Sequence, residues 1–264
     1  MSDERPVGVF DSGLGGLTVL REITRQIPQE QCLYVADALD APYGTKTVEA
    51  LQERCEQVTS FLIEQGAKTI VVACNTASVT ALAYLRSRFS IPFVGIVPAV
   101  KPAAMLTHTG TVGVLVTSAT AHSDSLAQLI RSYSNGSRML LQECPELVTL
   151  VEHGQLRGPE VESSLRLEVG PLVAKGADII VLGCTHLPFL SEAISHVAGP
   201  AVQLIDPTGA VVRHLWHVLQ EHDLLRVGAA SPPRYFTTGD PEEFHLRLGQ
   251  LMGEPQPEPA HINL

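Results

Sequence analysis

Thr69-Ile70-Val71-Val72-Ala73-Cys74-Asn75-Thr76-Ala77-Ser78 is an apolar run that stops at a small residue, passes through a cysteine and enters a polar turn. Asp178-Ile179-Ile180-Val181-Leu182-Gly183-Cys184-Thr185-His186-Leu187 repeats that order. A short apolar run bounded by turn signals reads as a buried parallel strand, and a helical pattern follows each one. A second echo pairs Val7-Gly8-Val9-Phe10-Asp11-Ser12-Gly13 with Val112-Gly113-Val114-Leu115-Val116-Thr117-Ser118. The two echoes together predict a duplicated α/β unit. A duplication that brings one cysteine from each half to a shared cleft has paired thiols, and paired thiols suggest two-base proton chemistry.

Outward from these stretches, strand-like runs alternate with helix-length amphipathic segments. Strands are predicted near 6–10, 31–36, 68–73, 93–97, 111–116, 137–142, 178–183, 202–206 and 234–238. Helices are predicted over 15–27, 46–66, 76–88, 98–108, 119–133, 158–175, 186–197, 207–221 and 240–251. This alternation predicts two pseudo-symmetric, doubly wound α/β domains with parallel sheets and the active site in the cleft between them. The first domain is expected over 1–97 with 208–264 packing back onto it, and the second over 98–207. The proline-rich stretch Gly253-Glu254-Pro255-Gln256-Pro257-Glu258-Pro259 is expected to be mobile.

Composition narrows the function. The 264 residues are 45% hydrophobic and 17% charged, a globular composition with a sizeable core. No apolar run approaches the ~20 residues needed to span a bilayer. The acidic, polar start Met1-Ser2-Asp3-Glu4-Arg5-Pro6 is not a secretory signal, so a cytoplasmic location is expected. Five cysteines without a CxxC pair argue against a disulfide framework and against a zinc site. A net charge of −10 argues against nucleic acid or an anionic membrane as partner.

In open parallel sheets ligands bind at the carboxyl ends of strands. Four segments fall there: Asp11-Ser12-Gly13-Leu14-Gly15-Gly16, Cys74-Asn75-Thr76, Thr117-Ser118-Ala119-Thr120 and Cys184-Thr185-His186. Following helices would supply N–H groups and partial positive charge for a carboxylate, which is how an acidic protein can hold an anion. The glycines at 13, 15 and 16 do not make G-x-G-x-x-G, which argues against a dinucleotide loop. Gly15 and Gly16 fit a tight strand–helix turn, but Asp11, a carboxylate directly after a buried strand, needs partners and points to a cleft. Cys74 and Cys184 at matched points of a repeat are candidate bases, whereas Cys32, Cys55 and Cys144 are assigned to packing. His186 stands where an imidazole can raise a thiolate fraction. The remaining histidines show no metal spacing; His214 and His217 share a helix face without a third ligand. Pro42-Tyr43-Gly44 reads as an ordinary turn or as a carboxylate-binding loop.

The stretches GVFDSGLGGLTVL (8–20), YVAD (34–37), PYGTKT (42–47), VVACNTAS (71–78), TSAT (117–120), LVTLVEHG (147–154) and LGCTHLPFL (182–190) resemble the glutamate racemases of the aspartate/glutamate racemase family, from residue 7 to about 210. The resemblance implies cofactor- and metal-independent interconversion of L- and D-glutamate, supplying D-glutamate for peptidoglycan. It implies Cys74 and Cys184 as catalytic bases, Asp11 assisting Cys74, and His186 with Glu152 assisting Cys184. It implies substrate binding by Asp11, Ser12, Pro42, Tyr43, Gly44, Asn75, Thr76, Thr117, Thr120, Thr185 and His186, and a homodimer. The segment 95–102 and Val116-Thr117-Ser118 depart from the family's usual pattern. Sister racemases of aspartate or hydantoins, maleate isomerases, and a two-lobed amino-acid-binding protein are the rival readings. The Asp-Ser-Gly-x-Gly-Gly start and the Cys-Thr-His triplet favour glutamate.

Overall fold

The computed structural model describes residues 2–253 and 255–264; Met1 and Glu254, the latter inside the stretch expected to be mobile, lie outside the described residues. The chain divides into two compact units, one of Met1–Ile96 with Thr208–Leu264 and one of Val97–Pro207.

The first unit is built on strands β1 (Val7–Asp11), β2 (Cys32–Ala36), β3 (Thr69–Val72), β4 (Phe93–Gly95), β9 (Arg234–Thr237) and β10 (Ala260–His261). Among the described residues they form one six-stranded sheet in the order β10-β9-β2-β1-β3-β4, parallel throughout. β1, β2 and β3 are buried along their whole length, as parallel strands covered on both faces must be. Helices α2 (Val48–Glu64) and α3 (Asn75–Arg88) pack Leu51, Val58, Leu62, Ala77, Ala81 and Leu85 into one apolar cluster with the sheet. The helix α1 (Leu17–Gln26) packs against both α10 (Thr208–Glu221) and α11 (Pro241–Met252), with α11 also on β9. On α10 and α11, Leu215, Leu219 and Leu248 are fully buried.

The second unit carries β5 (Thr111–Val116), β6 (Arg138–Glu143), β7 (Ile179–Leu182) and β8 (Gln203–Ile205), all parallel, in the order β6-β5-β7-β8. Its helices are α4 (Val100–Leu106), α5 (Ser118–Ala121), α6 (Asp124–Tyr133), α7 (Pro145–Glu152), α8 (Pro159–Ala174) and α9 (Ser191–Ala198). Two apolar clusters line the sheet, one with α7, α8 and α9 and the other with α4 and α6.

The duplication is visible bond by bond. β2-β1-β3-β4 and β6-β5-β7-β8 are the same strand order, which reverses between the first and third strands of each unit. The Ala73 N–H donates to Phe10 O and the Gly183 N–H to Leu115 O, both at 2.8 Å. The Asp37 N–H donates to Asp11 O at 2.9 Å and the Cys144 N–H to Val116 O at 3.0 Å. These bonds align Cys74 with Cys184, Asp11 with Val116 and Asp37 with Cys144. The repeat also reaches upstream of the echo seen in the sequence. α2 and α8 both end before a left-handed glycine, Gly66 (φ 91°) and Gly176 (φ 89°). The following alanine N–H groups, of Ala67 and Ala177, then bond back to Leu62 O and Leu172 O. This is a glycine helix stop, and it feeds β3 and β7 alike.

Several elements differ from the sequence expectation. The helix expected over 119–133 is two helices, because Ser123 accepts from the Leu126 N–H at 3.1 Å and caps a new start. The helix expected from 186 begins as a 3-10 turn over Leu187–Leu190, with Pro188 inside it, and becomes α-helical only at Ser191. α7 was not expected; it starts on Pro145 as its first helical residue. Beyond the proline-rich stretch, Ala260–His261 joins the sheet edge, the Ile262 N–H donates to Thr237 O, and Ile262 and Leu264 pack on the first unit's core.

Candidate active site

At a point where strand order reverses, the two flanking strands send their following helices to opposite faces, which opens a crevice at their carboxyl ends. In the first unit that point lies between β1 and β3, whose ends carry Asp11 and Cys74. In the second it lies between β5 and β7, whose ends carry Thr117 and Cys184. Both thiols therefore stand where this fold binds ligands.

Asp11 is the last residue of β1 and fully buried. Its Oδ1 accepts from the Ser12 N–H at 2.7 Å and from Ser12 Oγ at 3.3 Å, and its Oδ2 accepts from the Gly16 N–H. The reason for glycine at 16 is close approach rather than backbone handedness, since its φ is −62°. A Cβ there would lie 2.7 Å from Asp11 Cβ and 3.1 Å from Ala73 Cβ. Ser12 Oγ lies 3.9 Å from the Cys74 sulfur, so the hydroxyl stands between thiol and carboxylate.

Cys74 is the N-cap of α3 and buried. A fourteen-residue helix starting at the next residue places the positive end of its dipole beside the sulfur, which favours a thiolate or a bound carboxylate. Asn75, the first helical residue, is 2% exposed, and neither its Nδ2 nor its Oδ1 has a hydrogen-bond partner in the protein. A buried amide left open on both atoms calls for an explanation, and a polar ligand supplies one. Thr76 is buried beside it. Tyr43 is buried in the same apolar cluster as Cys74, and its hydroxyl donates to Asp37 Oδ2 at 2.6 Å. Gly44 follows it in a 3-10 turn over Tyr43–Thr45, and Pro42 is the residue that precedes the turn.

In the second unit the residue aligned with Asp11 is the apolar Val116, so any help for Cys184 comes from elsewhere. Cys184 Sγ lies 3.5 Å from His186 Nδ1, and His186 Nε2 lies 2.5 Å from Glu152 Oε1 at the end of α7. Burial opposes a charge on this imidazole. Hydrogen bonding to Cys184 and then to Glu152 overcomes it and holds the His186 pKa well above its ordinary value. An imidazolium at this distance is a counter-charge for a thiolate. Thr185 is buried. Thr117 Oγ1 accepts from the Thr120 N–H at 3.3 Å and lies 3.0 Å from Thr120 Oγ1, so the two threonines form one hydroxyl pair at the end of β5.

Within each unit the structure thus brings the expected residues together: Asp11, Ser12, Tyr43, Cys74, Asn75 and Thr76 in the first, Thr117, Thr120, Glu152, Cys184, Thr185 and His186 in the second. Cys32, Cys55 and Cys144 are fully buried thiols; burial pushes Cys32 up to about 12 and raises Cys55 and Cys144 as well. Among the described residues no group of three His, Cys, Asp or Glu side chains is arranged to hold a metal ion. Two residues of the first-unit cluster were not singled out from sequence, Asp37 and Arg54. The only local signal was that YVAD ends a strand in a carboxylate, as VFD does at Asp11.

Matched thiols at the reversal points of a duplicated parallel fold, each beside an acid–base group, are an arrangement suited to proton transfer. Comparison with known proteins places the chain in a family. The Asp/Glu/hydantoin racemase family profile matches residues 7–215. A glutamate racemase of Ectopseudomonas mendocina is 46% identical over 252 residues, covering 95% of this chain and 96% of its own. The crystal structure of the Francisella tularensis glutamate racemase with D-glutamate matches with a TM-score of 0.86 at 30% identity, covering 99% of this chain and 98% of its own. That of the Escherichia coli glutamate racemase with L-glutamate and the activator UDP-MurNAc-Ala matches with a TM-score of 0.87 at 32% identity, covering 97% of each. The chain belongs to the Asp/Glu/hydantoin racemase family and is an isomerase.

Proposed function

We propose that this chain interconverts L- and D-glutamate by a two-thiol proton transfer, with Cys74 and Cys184 acting on opposite faces of one α-carbon. The carrying observation is the alignment of Cys74 with Cys184 in a repeat whose two copies share one strand order. Glutamate as substrate is supported by the relatives, which are glutamate racemases along nearly their whole length.

The α-hydrogen of an amino acid is very weakly acidic, so the base must be strong, dry and accurately held. In one direction the thiolate of one cysteine takes the α-proton while the thiol of the other delivers its proton to the opposite face. The product is the other enantiomer, and the two sulfurs have exchanged thiol and thiolate. Charge that builds on the substrate carboxylate in the transition state is met by preorganised donors: the first turn of α3, the Asn75 amide and Thr76 of the first unit, and Thr117, Thr120 and Thr185 of the second. Ser12 and Asp11 serve Cys74; His186 and Glu152 serve Cys184. Pro42, Tyr43 and Gly44 hold the substrate. Every proton moves between the chain's own groups and the substrate, so the mechanism uses no cofactor and no metal.

In the cell this activity would supply D-glutamate for peptidoglycan, from a cytoplasmic homodimer without a nucleic-acid partner. No helix among the described residues is long and apolar enough to cross a membrane. The test is circular dichroism of purified protein with L-glutamate and then with D-glutamate, in cofactor-free buffer. Both signals decay to zero if the proposal holds. Decay with aspartate or a hydantoin alone moves the substrate, and no decay with any of them refutes the reading.

A further inference from the structure

The first unit holds a buried polar cluster that the proton chemistry does not use. Asp37 follows β2, is fully buried, and accepts four hydrogen bonds. They come from Tyr43 Oη at 2.6 Å, Arg54 Nε at 2.8 Å, Arg54 Nη2 at 2.6 Å and Thr238 Oγ1 at 2.9 Å. Arg54, on α2, is as fully engaged. Its Nη1 donates to Gln57 Oε1 and to the main-chain oxygen of Leu264, both at 3.0 Å, and its Nε lies 2.9 Å from Asp40 Oδ2. Asp40 pairs in turn with Lys46. In the loop from 38 to 46, Asp40 and Tyr43 are therefore tied directly to one carboxylate–guanidinium pair, and Lys46 is joined to it through Asp40.

A buried ion pair is a poor device for stability, because desolvation of both charges offsets most of their attraction. It is a good device for geometry. A planar guanidinium gripping a carboxylate at two points fixes direction as well as distance. What this pair directs is the Tyr43 hydroxyl, and the Tyr43 ring lies in the apolar cluster that contains Cys74. The aligned position in the second unit is Cys144, an apolar thiol that donates to Val116 O at 3.2 Å. The arrangement is thus particular to the unit carrying the Pro42-Tyr43-Gly44 segment and is not a requirement of the repeat.

Resting on the reading of 42–44 as substrate-binding, we propose that Asp37 and Arg54 are positioning residues that lock Tyr43, and with it the 42–44 backbone, in the conformation that receives the substrate.

The test compares Asp37→Asn, Arg54→Lys, Tyr43→Phe and the Asp37→Asn/Tyr43→Phe double variant, by steady-state racemisation of L-glutamate and by thermal melting. Loss of one charge-assisted bond to the loop raises KM by about 10-fold, while kcat falls less than KM rises. Arg54→Lys, which keeps the charge and loses the fork, also raises KM, by less than Asp37→Asn does. The double variant shows a KM no higher than the worse of its parents, because both changes cut the same tie. A lowered melting temperature with wild-type KM in the folded variants overturns the proposal, as do multiplying effects in the double variant. If Asp37→Asn does not fold, Tyr43→Phe decides, since it leaves the Asp37–Arg54 pair intact. A wild type inactive on glutamate brings down the functional reading itself; an active wild type beside variants of unchanged KM brings down the lock alone.

Discussion

His186 bridges a thiol and a carboxylate: its Nδ1 is 3.5 Å from Cys184 Sγ and its Nε2 is 2.5 Å from Glu152 Oε1. The imidazole is held protonated well above its ordinary range, so it supports a thiolate on one side and is itself supported on the other. His186→Asn should lower kcat on the order of 10²-fold, the scale of one acid–base contribution, and Glu152→Gln should lower it less. The sign of the stability effect also follows. A raised folded-state pKa stabilises fully below the unfolded value of about 6.5, and that stabilisation is lost as pH rises through the raised value. The melting-temperature gap between wild type and His186→Asn should therefore be constant in mild acid and shrink in alkali. A gap that widens with pH would contradict a charged His186.

Removal of either sulfur separates the two halves of the proton transfer. Cys74→Ala and Cys184→Ala should each abolish racemisation. Elimination of HCl from a chlorinated glutamate analogue needs a single base, so each variant should still process one enantiomer, and not the same one. Chloride release checks this. A single variant that racemises normally refutes the two-thiol assignment.

Gly16 has no room for a methyl group, because its Cβ would meet Asp11, Ala73 and the Tyr34 hydroxyl at 2.7 to 3.1 Å. Gly16→Ala should cost about 1–3 kcal/mol by overpacking and should displace Asp11, so activity should fall even where the variant is folded. Denaturant unfolding and racemisation on the same preparation test both parts.

Glu168 sits on α8 with Oε2 buried and unpartnered, and burial, followed by repulsion from Glu146, raises its pKa to about 7. Between the unfolded value near 4.5 and about 7 the folded state then holds the extra proton, so Glu168 weakens the fold as pH rises through that window and most above it. Glu168→Gln should raise the melting temperature at pH 8 by more than at pH 5. An equal change at both would show an ordinary, solvated carboxylate.

The parts of this molecule legible in the sequence are those that local pattern encodes. β3 and β7 are apolar runs closed by a small residue and a cysteine, and Asp11 is a carboxylate at a strand end, so these strand ends were legible, while the strand order that makes them reversal points was not. α7 was missed because it is short and starts on a proline that also reads as a turn, although it carries Glu152. The break at Ser123 is a cap inside a continuous amphipathic pattern. β10 was missed because it is two residues long and its support comes from Thr237 and the distant core. Asp37 and Arg54 were missed for the same physical reason. Their meaning lies in bonds to Tyr43, Thr238 and Leu264, which no window of sequence contains.

The most direct test of the central claim is racemisation of L-glutamate in D₂O, with deuterium at the α-carbon of each enantiomer measured at early times. Two thiols on opposite faces deliver a solvent-derived deuteron to the product while the remaining substrate keeps its proton, so D-glutamate should be deuterated and recovered L-glutamate should not. Deuterium entering both enantiomers together would mean that one base serves both faces, and would contradict the account.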